Sequence, residues 1–431
     1  MSAYENRENS MPFIANQKLV QGNDVQLKIL TVSFMLFFIL NPTFDFISTL
    51  LTDSNSGFNR ITLFSRGLFT LIASIFALAL AFKKQKTLSI LLLPVAVTLL
   101  SIFTWCLIGA YDINTAFETI NVVFKALSFF FFCIAFKYIF KNSNSTNLIE
   151  TIVKLSFIAY TTSIILGPLL GIESFKSYGE VRFGYKGIIL AQNEASALLL
   201  IGLLFFGYKV TLKRSDKIDI IGLLSAAIAA FLIGTKAAVI IPVAVFSIIL
   251  IARSGFIKSA PFVLFIFVAF PAFIYALTLF STAAQDVIDS TTQYLTYQLT
   301  HSANDNILTL LLSGRDDKLQ YAWENIVDEN PFYLIFGGYP IGLYSIELDL
   351  FDLAFLLGIP TLTIYLINLK NAFLADKKGI SRRYYILSFI LVLAISNSAG
   401  HLLTSALALP YLAFFCMYGS IKTQRTRTIP C

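Results

Sequence analysis

Cysteine, histidine and charge are all scarce in this chain of 431 residues, and each shortage excludes a class of protein. Of four cysteines, Cys106, Cys133 and Cys416 lie inside apolar runs and Cys431 ends a basic tail, so there is no disulfide framework and no zinc-ligand spacing. The two histidines, His301 and His401, add no metal-ligand pattern, and a structural or incidental role is the plainer reading of each. Charged residues make up 13% of the chain, against about 25% in soluble domains. With 57% hydrophobic and 15% aromatic residues, a disordered chain and a nucleic-acid-binding domain with a soluble core are both excluded. The motifs GxxxxGKS/T, HExxH and GxSxG are absent as well.

What the chain has is apolar length. About twelve spans of roughly 20 residues would occupy about 240 positions, close to the hydrophobic fraction. Suitable runs fall near 29–51, 61–82, 87–109, 118–140, 148–170, 187–208, 218–234, 236–252, 261–281, 350–369, 384–399 and 402–419. The pair 218–234 and 236–252 reads as two short spans, because Gly234-Thr235-Lys236 interrupts an apolar stretch too long for one. Residues 1–28 read as a polar tail, and the first run is longer than a signal-peptide core with no small-residue cleavage pattern after it, so it reads as a retained anchor. The expected fold class is an all-α polytopic membrane protein. Spans one to nine cover 29–281, a long loop covers 282–349, spans ten to twelve cover 350–419, and a basic tail covers 420–431.

Lys and Arg accumulate in cytoplasmic loops, and 22 of the 32 fall in alternate connections once the N-terminus is placed inside. Both termini are then cytoplasmic, and the net charge of +7 is mainly a topology signal that needs no nucleic-acid partner. The long external loop carries two helical patterns, one through Val287, Ile288, Thr291, Tyr294, Leu295 and Leu299, the other through Leu319, Trp323, Ile326 and Val327. The second has a start signal in Ser313-Gly314-Arg315-Asp316, with Ser313 as the expected N-cap, and a stop at Glu329-Asn330-Pro331.

The other ten basic residues are Arg60, Arg66, Lys125, Lys154, Lys176, Arg182, Lys186, Lys236, Arg315 and Lys318. A charge at the centre of a bilayer costs at least ~2.5 kcal/mol. Lys154 lies near the cytoplasmic end of its run and can snorkel. The rest, with Asp45 and Glu194, converge on the external half of the membrane. Singly, each reads as a snorkelling head or an internal ion pair. Together they suit an anionic, lipid-linked head group better than an ion pathway, which needs polar groups at several depths.

The layout resembles the Wzy-type O-antigen and capsular polysaccharide polymerases, relatives of the O-antigen ligases. The local carriers are Val181-Arg182-Phe183-Gly184 followed by Asn193, then Leu312-Ser313-Gly314-Arg315, Trp323, Pro331 and Gly337-Gly338. The resemblance implies a helical glycosyltransferase of the bacterial inner membrane that needs no metal, nucleotide or other cofactor. It would move a growing glycan from undecaprenyl diphosphate onto a new lipid-linked repeat unit, with a chain-length regulator as a further partner. It also implies that Arg182 and Arg315 engage the diphosphate, and Lys236 matches a basic residue that the ligases carry after an equivalent Thr. Where ligases carry a His eleven residues before a Gly, this chain has Glu347 before Gly358, which favours polymerase over ligase.

The chemistry points to the same residues. A sugar hydroxyl must lose a proton as it attacks the anomeric carbon, a task for Glu347, Asp349 or Asp352. Diphosphate must leave, a task for guanidinium and ammonium groups, with Arg66 and Lys186 as further candidates beside Arg182, Arg315 and Lys236. Tyr178, Phe183, Tyr185, Tyr339 and Tyr344 are placed to stack on sugars or to sit as interfacial aromatics. A flippase would share the hydrophobicity, but it should show internal pseudo-symmetry, which the sequence lacks.

Overall fold

The computed structural model describes residues 24–425, apart from 52–60, 85, 141–142, 179–182 and most of 281–311. Among the described residues the chain is helical and contains no strand. The apolar runs form α1 (Asp24–Leu50), α2 (Ile61–Lys84), α3 (Lys86–Leu107), α4 (Ile113–Ile139), α5 (Ser143–Leu170), α6 (Gln192–Thr211), α7 (Lys217–Leu232), α8 (Lys236–Ser254) and α9 (Phe256–Phe280). After the long loop come α10 (Arg315–Ala322), α11 (Tyr333–Phe336), α12 (Asp349–Leu357), α13 (Ile359–Leu374), α14 (Gly379–Ala399) and α15 (Ala408–Arg425). The helical pattern at 287–299, His301, Arg60 and Arg182 lie outside the described residues.

Every run read as a span overlaps a helix. Seven helices, namely α1, α2, α4, α5, α6, α8 and α14, are long and apolar enough to cross a membrane by length and composition, while Pro94–Leu107, Phe256–Ala269 and Ala408–Ser420 are shorter apolar helices. Helices predominate because hydrocarbon offers backbone N–H and C=O groups no partner except within the segment itself. The break at Gly234-Thr235-Lys236 separates α7 from α8 as expected. Other boundaries differ from the sequence reading. The run 350–369 is two helices joined at Gly358, and the runs from 187 and 402 become helix only at Gln192 and Ala408.

Gly358 explains the first difference. Its φ is +77°, and a Cβ there would meet the carbonyl of Ile335, while a Cβ on Gly337 would meet that of Leu356. The α11 turn and the α12–α13 joint therefore approach backbone to backbone, and only glycine fits both sides.

Two aromatic helices form the core. In α4, Phe129, Phe130, Phe131 and Phe132 are all buried, and α6 is buried on nearly every face. A helix apolar all round belongs in the middle of a bundle. Phe414 of α15 joins the two, with ring centroids 5.6 Å from Phe136 and 5.3 Å from Phe205. At the periphery, α9 leaves Phe262, Leu264, Phe265 and Val268 exposed, as lipid-facing side chains would be.

Opposite the candidate site, Lys154 does not snorkel as the sequence suggested. Its ammonium is 2.8 Å from both Asp216 and Asp219, and Lys209 lies 2.6 Å from Glu150 and 2.7 Å from Asp219. Tyr418 donates to Glu150 at 2.8 Å, so this buried network ties α5, α6, α7 and α15 together.

Candidate functional site: a cation-lined cavity

At the other end of the bundle the chain encloses a cavity of about 1230 Å³. Its walls come from the 171–191 loop, the α7–α8 turn, α10, Glu347 and the 400–407 segment. Tyr185 N–H donates to the Leu232 carbonyl at 2.8 Å and the Gln192 amide to Ile233 at 2.7 Å, fixing the loop on the turn. Gly234, with φ +76°, has no room for a Cβ against Phe183. This turn leaves Thr235 as N-cap of α8, accepting from Ala238 N–H at 3.1 Å. Lys236 thus occupies the first position of the helix, where unpaired backbone amides already favour an anion.

The opposing wall is α10. Ser313 was expected to cap it, but Gly314 (φ +78°) is the N-cap and no side chain caps the helix. The Ser313 hydroxyl instead accepts from Lys236 Nζ at 3.2 Å, linking the two walls. Arg315 donates to the Ser398 carbonyl at 2.8 Å and to Glu347 at 3.2 Å, and Lys318 donates to Glu347 at 2.6 Å. Burial works to raise the Glu347 carboxyl, but the hydrogen bond and charge of Lys318, then the charge of Arg315, outweigh it and hold the group below the usual carboxylate range. Glu347 is therefore ionised at neutral pH.

Arg66 lines the floor and is almost completely buried. It makes two 2.8 Å contacts with Asp45, one of 3.1 Å with Glu194 and one of 3.3 Å with Asn41. Tyr160 donates to Asp45 at 2.6 Å, and Ser405 to Glu194 at 2.8 Å. The guanidinium of this expected diphosphate ligand is thus engaged within the protein, where it fastens α1, α2, α6 and the 400–407 segment. Among the described residues, counting Asp45 behind it, five cations (Arg66, Lys125, Lys236, Arg315, Lys318) meet three carboxylates (Asp45, Glu194, Glu347), which leaves two positive charges in excess.

Three other candidates do not line the cavity. Asp349 is buried and accepts the backbone N–H groups of His401, Leu402 and Leu403 at 2.6, 2.8 and 2.7 Å. Asp352 is buried too and accepts those of Ile346 and Glu347 at 2.9 and 3.0 Å. Both carboxylates shape backbone that carries the site, and their oxygens are spent on amides. Lys186 donates to the Leu190 carbonyl at 3.0 Å, bracing its own loop. Arg182 lies outside the described residues, between Tyr178 and Phe183, which do line the cavity.

His401 is the group that sequence reasoning set aside. It lines the cavity with a left-handed backbone (φ +61°), held there by Asp349 from 52 residues away. Burial pushes its imidazole below the ordinary value, so it is neutral at pH 7. Nothing in the local sequence around His401 announces this, whereas Lys125 and Lys318 were visible as charges out of place. Among the described residues, no group of three or more His, Cys, Asp or Glu is placed to hold a metal ion.

No curated protein and no solved structure matches the chain. A family model described as O-antigen ligase like membrane protein matches residues 28–288, more than half of the chain. The match covers α1 to α9, with Arg66, Lys125 and Lys236, and ends before the wall that carries Arg315 and Glu347. The chain therefore belongs to the O-antigen ligase like membrane proteins, a family of O-antigen and polysaccharide assembly.

Proposed function

We propose that the protein is a polysaccharide polymerase that joins undecaprenyl-diphosphate-linked repeat units at the periplasmic face of the bacterial inner membrane. The observation that carries this reading is the charge of the cavity. A diphosphate esterified to a polyprenol and to a sugar keeps two ionised oxygens, and the described walls hold an excess of two positive charges. Arg315, Lys236 and Lys318 would bind the diphosphate from two helix N-termini, with Arg182 adding a further guanidinium. These groups also stabilise the charge that develops as the bond to the anomeric carbon breaks.

Of the three candidate bases Glu347, Asp349 and Asp352, Glu347 alone lines this cavity. In the free protein it is held ionised by Lys318 and Arg315. A diphosphate draws those cations toward itself and leaves burial as the stronger influence, so the carboxylate becomes a better proton acceptor once the donor is in place. The attacking sugar hydroxyl then gives its proton to Glu347 and the polyprenyl diphosphate leaves.

A second reading is ligase activity, transfer of the glycan to lipid A core, which the family description favours. The acidic residue at 347 favours the polymerase.

Arg182→Ala and Arg315→Ala should each abolish polymer in cells while the protein stays membrane-inserted. Normal chain length in both variants would refute the diphosphate clamp.

A further inference from the structure

The cavity does not end at its cations. On α2, Leu63, Gly67 and Thr70 line it at positions i, i+4 and i+7, so one face of that helix follows it inward. Thr70 is nine residues from the start of α2 and therefore about 14 Å along it, at 1.5 Å per residue. Phe231 near the end of α7, with Val239 and Ile240 of α8, lines the cavity as well. Both α2 and α8 are long and apolar enough to span a membrane, so this part of the cavity runs down into hydrocarbon depth. Its polar groups are spent within the protein. Arg66, beside Gly67, is bound to Asp45 and Glu194, and the Thr70 hydroxyl donates to the Arg66 carbonyl at 2.8 Å.

This apolar part opens sideways. Leu63 is 55% exposed and Ile240 52% exposed although both line the cavity, so it reaches the lipid-facing surface at both helices. Gly67 sits between them in the wall. Glycine weakens a helix interior relative to alanine, and packing gives no reason for it here, since a Cβ at Gly67 would meet nothing within 4 Å. The room that the residue leaves belongs to the cavity.

An apolar groove open to lipid and continuous with a cationic end fits a ligand that has an anionic head and a hydrocarbon tail. Charge selects among such ligands. A diacyl phospholipid brings one phosphodiester charge and two chains, whereas a polyprenyl diphosphate ester brings two charges and one chain. The described walls hold two positive charges in excess.

We infer that the groove between α2 and the α7–α8 pair, passing over Gly67, is the lateral entry and the seat of the isoprenoid chain of the lipid-linked substrate. It rests on the diphosphate reading above and extends it: the head lies among Lys236, Arg315 and Lys318, and the chain leaves toward the bilayer between Leu63 and Ile240.

The test measures binding, without turnover, to the purified full-length protein in phosphatidylcholine nanodiscs. The probes are undecaprenyl diphosphate, which has head and chain, inorganic diphosphate, which has the head alone, and undecaprenol, which has the chain alone. Gly67→Leu should weaken undecaprenyl diphosphate binding about tenfold, the worth of roughly two buried CH2 groups. It should bind inorganic diphosphate as the wild type does and melt no lower. Ile240→Trp, which narrows the groove from α8, should give the same pattern, whereas Lys236→Ala should weaken both diphosphates.

An undecaprenyl diphosphate affinity that Gly67→Leu and Ile240→Trp leave at the wild-type value would overturn the inference, as would an equal loss for both diphosphates. Displacement of undecaprenyl diphosphate by an equal concentration of phosphatidylglycerol would also overturn it and make the groove a phospholipid seat. Undecaprenol binding that is lost in Gly67→Leu, with neither diphosphate bound by the wild type, would sustain the groove and refute the diphosphate clamp.

Discussion

Replacing Asp349 by Asn separates a structural carboxylate from a catalytic one. Asp349 accepts three backbone N–H groups, from His401, Leu402 and Leu403, at 2.6, 2.8 and 2.7 Å in a buried site. A hydrogen bond to a charged group contributes about 1.5–3 kcal/mol. Asn keeps one acceptor oxygen and turns an NH2 toward amides that are themselves donors. Losing one to two of the three bonds should cost about 2–4 kcal/mol, a large share of the 5–15 kcal/mol that typically holds a domain together. The segment released is the one that places His401 in a left-handed backbone and Ser405 against Glu194, so the cavity wall should loosen with it. Thermal unfolding in detergent, followed by size-exclusion fluorescence, measures the first effect, and binding of labelled polyprenyl diphosphate measures the second. Both should fall together. An Asn variant that melts with the wild type yet makes no polymer would refute this reasoning and return Asp349 to the chemistry.

Arg66→Met should destabilise the protein by about 3–5 kcal/mol, because it strands the buried Asp45. Arg66→Met with Asp45→Leu should recover part of that loss in the same melting assay. Glu347 has its carboxyl held low in the folded protein, so its stabilising contribution is present above the ordinary carboxylate pKa and lost as pH falls through the lower folded value. Melting temperatures of the wild type and Glu347→Gln should therefore differ at neutral pH and converge in acid. Gly358→Ala should lower the melting temperature sharply, since its Cβ would meet the Ile335 carbonyl at φ +77°.

Much of the fold was written in the sequence because bilayer helices are long and uniform. The apolar runs and the Gly234-Thr235-Lys236 break needed only hydropathy and one charged turn. The α12–α13 joint was missed although Gly358-Ile359-Pro360 carries the signal of one helix ending and another starting; what sequence does not show is the need for glycine there, which comes from a carbonyl of α11, 23 residues upstream. Charges out of place marked Lys125, Lys236, Arg315 and Lys318, and the spacing to Gly358 marked Glu347; all five line the cavity. The same signal also marked Arg66, Lys154 and Lys186, since a cation in hydrocarbon looks alike in sequence whether it awaits a ligand or already has a carboxylate or carbonyl beside it. For Asp349 and Asp352 residue type and depth were legible, but what decides their role is the direction of two oxygens toward backbone amides.

Reconstitution of the purified protein in liposomes with lipid-linked repeat units as the sole glycan source tests the polymerase directly. The wild type should build a ladder of polymer lengths and Arg315→Ala none. Transfer to lipid A core without a ladder, or movement of the repeat units across the bilayer with no new glycosidic bond, would contradict it.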